Sequence, residues 1–334
     1  MRTIITAGVE LQDVSFTSSE DDIQLGDNLV CARLGVSYFN GTLDANNHNI
    51  TASTFYFGSN RYYKPTIVMG SGTWEATGSG EVWYVDENDG GIVTFTSETS
   101  TIKLTDVSSA DKKFSQYTDG VLSGGHTYNN IWLTGVGTGS FIIAGSNTFN
   151  DFKVDTPPHT VKFVEGTITV VTTWDVSGSN GNLITLNYYD YISYGKVLLS
   201  HLTDGGSGYS VDEIIGLDGG DGMAVFVVTS VDGGVITGYE RLGDFYGEGY
   251  SVGSYNTITY GGAGSGAVIY VDNTDSDNFF LSKSSGIVEC DYLDISNSNA
   301  TGGAKWYAGA NSVDNGNNSG WMFKRRKYQL PAKK

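Results

Sequence analysis

The sequence predicts an all-β protein, a parallel β-helix solenoid carrying a small inserted β domain, and three observations carry that expectation. Apolar residues alternate with polar ones in short segments such as Thr54-Phe55-Tyr56-Phe57 and Gly80-Glu81-Val82-Trp83-Tyr84-Val85, with Gly, Ser, Asn or Asp between them; this is strand spacing punctuated by turns. An apolar-x-apolar triplet then recurs at about one solenoid turn. Finally, a block of different composition, with a duplication of its own, interrupts that recurrence.

Taken in order, residues 1–30 read as an N-terminal cap or attachment segment, since the end of a stack of parallel strands is an open sheet edge. Residues 31–186 read as the first part of the β-helix. Within them Thr127-Tyr128-Asn129-Asn130-Ile131-Trp132-Leu133 matches Thr148-Phe149-Asn150-Asp151-Phe152-Lys153-Val154, and Trp174-Asp175-Val176 follows one turn later. Because strand side chains alternate between faces, the outer residues of each triplet point inward. Ile131/Leu133, Phe152/Val154 and Trp174/Val176 are therefore expected to form vertical ladders, with Lys153 beside Asp175 outside. Phe55/Phe57 and Trp74/Ala76 are expected earlier in the same stack, and Leu293-Asp294-Ile295 later.

About 97 residues between Trp174 and Leu293 fit no coil, and residues 187–277 read as an inserted domain. This segment holds 19 of the 46 glycines and a net charge of −11, against −18 for the whole chain. Gly208-Tyr209-Ser210-Val211 recurs as Gly249-Tyr250-Ser251-Val252, which predicts two related halves, and Asp232-Gly233-Gly234 suits a hairpin turn between them. Residues 278–323 read as the second part of the β-helix. Residues 324–334 form a basic tail in which Lys324, Arg325, Arg326 and Lys327 are candidate docking residues for an acidic partner.

Charge and composition exclude several functions. The net charge opposes binding to nucleic acid and to anionic membranes. The longest apolar run, Met223 to Val228, is far too short to span a bilayer, and no export signal is visible, so a soluble chain is expected. Cys31 and Cys290 form neither a disulfide framework nor a zinc motif and are expected to be buried.

Met69-Gly70-Ser71-Gly72-Thr73-Trp74, Ser100-Thr101-Ile102-Lys103-Leu104-Thr105-Asp106, Thr148-Phe149-Asn150-Asp151-Phe152-Lys153-Val154 and Trp306-Tyr307-Ala308-Gly309-Ala310-Asn311-Ser312 through Gly320-Trp321 resemble right-handed parallel β-helix proteins of tailed bacteriophages. The Gly-rich repeat of 204–272 is similar to small β modules that recur in phage virion proteins. The resemblance implies a virion component, in the tail rather than the head: a tail fibre, tail appendage or receptor-binding protein. It further implies a homotrimer that contacts other virion proteins and a host surface glycan or protein. A capsid-decorating protein and a tailspike polysaccharide depolymerase are the alternatives.

No catalytic residues are assigned. The histidines His48, His126, His159 and His201 are scattered, GxSxG is absent, and Gly195-Lys196 precedes Val197 rather than Ser or Thr, so zinc, nucleophile-elbow and P-loop chemistry have no motif. Asp151, Asp155 and Asp175 lie on neighbouring coils, where a depolymerase's paired carboxylates would face a groove, but solvated or turn-capping roles are expected for them. Neither metal nor cofactor is expected. The candidate contact residues are aromatic: Tyr188, Tyr189, Tyr191 and Tyr194 at the entrance of the insert, with Phe245, Tyr246 and Tyr250 near its centre.

Overall fold

A computed structural model describes residues 1–17, 21–119, 121–122, 124–135, 137–164, 166–189, 200–220, 224–246, 250, 253–271 and 278–324. Among them the chain is all-β, with large parallel sheets and no helix. It divides into two compact units, Met1–Tyr189 with Asn278–Lys334, and Asp190–Asp277.

In the first unit, strands pair almost throughout in parallel with the strand one turn along the chain, about 15 to 32 residues away, as for Phe141 beside Val161 and Trp83 beside Phe114, or about 110 away where the inserted unit intervenes, as for Ile184 beside Leu293. Three columns result. One runs Arg2–Ile4, Ile23–Leu25, Thr42–Asp44, Thr66–Val68 and Thr94–Thr96. A second runs Ile50–Ala52 within Ile50–Ser59, then Thr73–Ala76, Thr101–Leu104, Thr127–Leu133, Thr148–Val154 and Ile168–Val176. The third runs Leu11–Phe16, Leu29–Val36, Ile50–Ser59, Gly80–Glu87, Lys112–Thr118, Phe141–Ile143, His159–Val164, Ile184–Tyr189 and Leu293–Ile295.

The register sets the core. Ile102, Ile131, Phe152 and Trp174 lie on one row, Leu104, Leu133, Val154 and Val176 on another, all buried. Lys153 faces outward and its Nζ is 4.0 Å from Asp175. Two expected assignments are corrected. Phe55 and Phe57 lie opposite Trp83 and Val85 in the third column, while Ile50 and Ala52 precede Trp74 and Ala76 in the second. Leu293 and Ile295 follow Ile184 and Leu186 rather than Trp174 and Val176. The physical reason is that every column buries the same apolar-x-apolar triplet, so the pattern alone does not say which face a strand occupies.

Corners are fastened by side chains bonding to the next turn. Asn28 Oδ1 accepts from the Asn49 N–H at 2.9 Å and Asn49 Oδ1 from the Thr73 N–H at 2.8 Å. Asn147, fully buried, is paired in the same way: it donates to the Ala144 and Gly145 carbonyls and accepts from the His126 N–H. Lys112, 1% exposed, donates to the Ser108 carbonyl at 2.7 Å with Asp106 at 3.4 Å, so its charge is balanced inside. Cys31 and Cys290 are free and buried, and burial pushes their thiols up to about 11 and about 12.

The second unit is a six-stranded antiparallel sheet ordered Ser200–Ser207, Ser265–Val271, Gly253–Thr259, Ile214–Leu217, Ala224–Asp232, Val235–Tyr246. Asp232 pairs with Val235, and the two residues between, Gly233 (φ 59°) and Gly234 (φ 84°), both adopt the left-handed backbone of a type I′ hairpin. The two duplicated motifs are followed in the chain by matching elements. Each precedes a hairpin, Ile214–Leu217 with Ala224–Asp232 or Gly253–Thr259 with Ser265–Val271, and each hairpin takes its third strand from the other half. The two outer strands also meet, through Ser200 Oγ and the Tyr239 hydroxyl at 3.0 Å.

Candidate functional site

The first unit brings a cluster of tyrosines to one corner. Tyr38 follows the strand Leu29–Val36 and adopts φ 53°, a conformation costly for an aromatic residue, yet its side chain is 63% exposed. One turn on, Asn60 and Tyr63 exchange backbone hydrogen bonds of 3.0 and 3.1 Å and so close the tight turn that presents Arg61 and Tyr62. Asn60 Oδ1 accepts from the Tyr62 and Tyr63 N–H groups, and Asn40 ties the two turns together by donating to the Tyr62 carbonyl at 2.7 Å and accepting from the Lys64 N–H at 2.8 Å. Tyr62 is 68% exposed, and Tyr63 packs edge-on against Tyr38, their ring centroids 5.5 Å apart.

Beside this pair lies a pocket of about 150 Å³ lined by Ser37, Tyr38, Tyr56, Ser59, Tyr63 and Asp86, among others. The Tyr56 and Tyr84 rings, on consecutive turns, pack at a tilt with centroids 5.3 Å apart, and Arg33 lies over the Tyr56 ring at 5.5 Å. The Tyr56 hydroxyl donates to Asp86 Oδ2 at 3.3 Å; burial first, and then the neighbouring Asp86 carboxylate, push it up to about 12. Asn88 Nδ2 donates to the other Asp86 oxygen at 2.8 Å. Gly58 keeps the pocket open, because a Cβ there would stand 2.7 Å from the Tyr56 hydroxyl oxygen.

A second surface lies on the second column. Its outward row reads Glu75, Lys103, Trp132, Lys153, Asp175 on consecutive strands. The Lys103 and Lys153 ammonium groups sit 4.5 and 4.4 Å from the Trp132 ring centroid. Asp151 and Asp175, on adjacent strands, both line the adjoining groove together with Asn130, Trp132 and Lys153, while Asp155 lies 3.8 Å from Lys153 Nζ.

The residues singled out in the sequence fare differently. Tyr188 and Tyr189 end the strand Ile184–Tyr189 in the first unit, where Tyr188 packs partly against the core and Lys113 Nζ lies 5.9 Å from the Tyr189 ring. Tyr250 is 3% exposed and donates to the Leu217 carbonyl at 3.2 Å, so it belongs to the core of the second unit and not to a contact surface. Phe245 and Tyr246 lie on the strand Val235–Tyr246, and their side chains fall outside the described residues, as do Tyr191, Tyr194, Arg325, Arg326 and Lys327 altogether. Lys324 is exposed. Among the described residues no group of three His, Cys, Asp or Glu side chains could hold a metal ion.

Sequence reasoning passed over Tyr38, Tyr56, Tyr63, Ser59 and Asp86. The available signal was Asn60-Arg61-Tyr62-Tyr63, a turn carrying adjacent aromatics where other turns carry Gly, Ser or Asp. Compared with known proteins, the chain matches no family model, no curated protein and no solved structure.

Proposed function

We propose that this chain is a non-enzymatic structural protein of a bacteriophage particle, of the tail appendage or receptor-binding type. In this reading the parallel columns close into a right-handed β-helix that acts as a stiff support. Right-handed closure is the hand that parallel strand-crossover-strand connections adopt almost without exception. The observation that carries the reading is the unbroken in-register ladder of the first unit, where Trp74, Ile102, Ile131, Phe152 and Trp174 stack on successive turns. Such a ladder resists bending because each turn is bonded to the next through backbone and core alike. Contact surfaces on this support are the exposed tyrosine corner and the inserted acidic unit, and the assembled form is a homotrimer bound to neighbouring particle proteins.

A label inserted at the exposed Gly233-Gly234 hairpin and located on intact particles by electron microscopy tests the proposal. Label on the tail is the expected result. Label over the shell would turn the reading into capsid decoration, and particles without the protein would overturn it.

A further inference from the structure

Asparagine followed by glycine occurs at Asn40-Gly41, Asn180-Gly181 and Asn315-Gly316, and the fold treats these sites differently. The Asn40 amide is held at both ends, donating to the Tyr62 carbonyl at 2.7 Å and accepting from the Lys64 N–H at 2.8 Å. Asn315 donates to Asp294 Oδ1, and the Gly316 N–H donates to Asp314 Oδ1 at 3.1 Å. Asn180 and Gly181 are both exposed, and among the described residues neither the Asn180 side chain nor the Gly181 N–H is engaged in a hydrogen bond. They are the middle residues of a turn whose ends are pinned: the Ser179 N–H donates to the Asn182 carbonyl at 2.9 Å and the Asn182 N–H to the Ser179 carbonyl at 2.8 Å. Of the two, only Gly181 has a positive φ, 77°, the pattern of a type II turn. The peptide unit between them can therefore turn over while both end bonds hold.

We propose that Asn180 is a site of spontaneous deamidation and that the fold protects Asn40 and Asn315 from the same reaction. The Gly181 nitrogen gives up its proton to solvent, and its lone pair forms a bond to Asn180 Cγ. The Cγ–Nδ2 bond breaks, and the nitrogen leaves as ammonia after taking a proton from solvent. The cyclic imide then takes up one water molecule and opens at either carbonyl, to aspartate or to isoaspartate. Glycine suits the step because no side chain crowds its nitrogen. Turning over of the 180–181 peptide carries that nitrogen past Asn180 Cγ. At Asn40 two hydrogen bonds must break before the amide can rotate into place. At Asn315 the Asp314 carboxylate holds the Gly316 N–H and, being negatively charged, opposes the loss of its proton. The product at Asn180 carries one more negative charge, and isoaspartate adds a main-chain atom to the turn. The residues flanking that turn are bonded to the next coil, the Gly178 N–H to the Asp291 carbonyl at 3.0 Å and the Ile184 N–H to the Tyr292 carbonyl at 3.2 Å, so the modification falls at a joint of the stack.

Incubation of the full chain in mildly alkaline buffer, followed by proteolysis and mass spectrometry, tests this. The same chain unfolded in denaturant supplies the reference rate for each site, where the shared dipeptide makes all three reactive. In the folded protein the Asn180 peptide is expected to convert to aspartate and isoaspartate, two products of equal mass. Relative to the unfolded reference, its rate should exceed those of the Asn40 and Asn315 peptides by at least about tenfold, the protection given by hydrogen bonds that must first open. Gly181→Ala places a methyl group beside the attacking nitrogen, in a position with no neighbour within 4 Å, and is expected to slow conversion at Asn180 by about tenfold or more. Equal relative rates at the three sites, faster conversion at Asn40 or Asn315, an Asn180 that stays intact in the folded protein while the unfolded chain converts, or an unchanged rate in Gly181→Ala overturns the proposal.

Discussion

In the first unit Ile102, Ile131, Phe152 and Trp174 fill one role on four consecutive strands, whereas in the second Tyr209 and Tyr250 fill one role only twice. The difference follows from how each unit satisfies its strands. Parallel columns bond each strand to a neighbour a full turn away, so the core is a series of layers and the outward residues are stacked too. The antiparallel insert closes through hairpins and through strands exchanged between its halves, so its core is a single cluster around Ile215, Leu217, Phe226, Ile236 and Ile269. One unit can be lengthened by adding turns; the other is finished once its two halves have met.

The largest effect expected from breaking a layer is at Trp83. It is fully buried, stacks on Phe114 at 5.6 Å, touches Phe55 and Phe57 at 5.2 and 5.1 Å, and donates from Nε1 to the Tyr128 hydroxyl at 3.3 Å. Trp83→Ala is expected to cost about 3–5 kcal/mol through lost contact and a cavity. All six tryptophans of the chain lie in the first unit, so denaturant unfolding followed by tryptophan emission reads that unit alone. A shift as large in the amide exchange of Ile215 and Ile269 would show that the two units share one cooperative transition.

How much of this was legible beforehand follows the same division. The ladder through Ile131, Phe152 and Trp174 is legible because the two turns that join these residues have nearly one length, and Lys153 beside Asp175 comes with it. Phe55 and Leu293 were placed in the wrong column because their turns differ in length, and one triplet fits any face. In the insert the duplicated Gly-Tyr-Ser-Val and the Gly233-Gly234 turn were visible, since both are local. The exchange of strands between halves was not, because pairing between distant segments leaves no local mark. The tyrosines show the limit most clearly: the sequence leaves Tyr250 open between core packing and contact, and it is core, while Tyr38 and Tyr63 carry no signal of their own and meet only through the register of adjacent turns.

The likeness between the halves of the insert can be broken at their shared tyrosine. Tyr209 closes a ring of hydrogen bonds: its oxygen accepts from the Ala267 N–H at 3.3 Å and donates to Thr257 Oγ1 at 2.7 Å, which donates to the Ala267 carbonyl at 3.2 Å. For Tyr250 the bond that can be set against it is the one to the Leu217 carbonyl. Tyr209→Phe leaves a buried N–H unpaired and is expected to cost about 1–3 kcal/mol, and Tyr250→Phe about 1 kcal/mol. Exchange of the amides in the hairpin Gly253–Thr259 with Ser265–Val271 measures both. Equal losses would mean that the halves are energetically as well as structurally alike.

A smaller effect is expected from acid. Burial holds His159 below the ordinary histidine value of 6.5, and the positive charge of Lys112 works in the same direction against an opposing pull from Asp155. The folded state therefore favours the neutral ring. The stability this provides is fully present above the unfolded value near 6.5 and is lost as pH falls from there through the folded value. Tryptophan-detected melting should drop between pH 7.5 and 5.5, and His159→Gln, which cannot titrate, should flatten that slope. An unchanged slope would assign the acid sensitivity to other groups.

The smallest effects belong to the outward row, which shows how a parallel stack manages charge. In-register strands set their side chains about 4.8 Å apart, so lysines on adjacent turns would repel one another. Trp132 separates Lys103 from Lys153, its ring attracting both ammonium groups, while Asp175 lies beside Lys153 and Glu75 beside Lys103 at the ends of the row. Either Lys103→Met or Lys153→Met should cost no more than about 1 kcal/mol, in line with half-exposed ion pairs and cation–ring contacts. The two should not behave alike in salt. Lys153 also carries the pairs with Asp155 and Asp175, so the loss in Lys153→Met should shrink as ionic strength rises, while the loss in Lys103→Met, which comes mainly from its contact with the ring, should persist. Equal salt dependence would mean that carboxylates on neighbouring turns, rather than Trp132, hold both lysines in place.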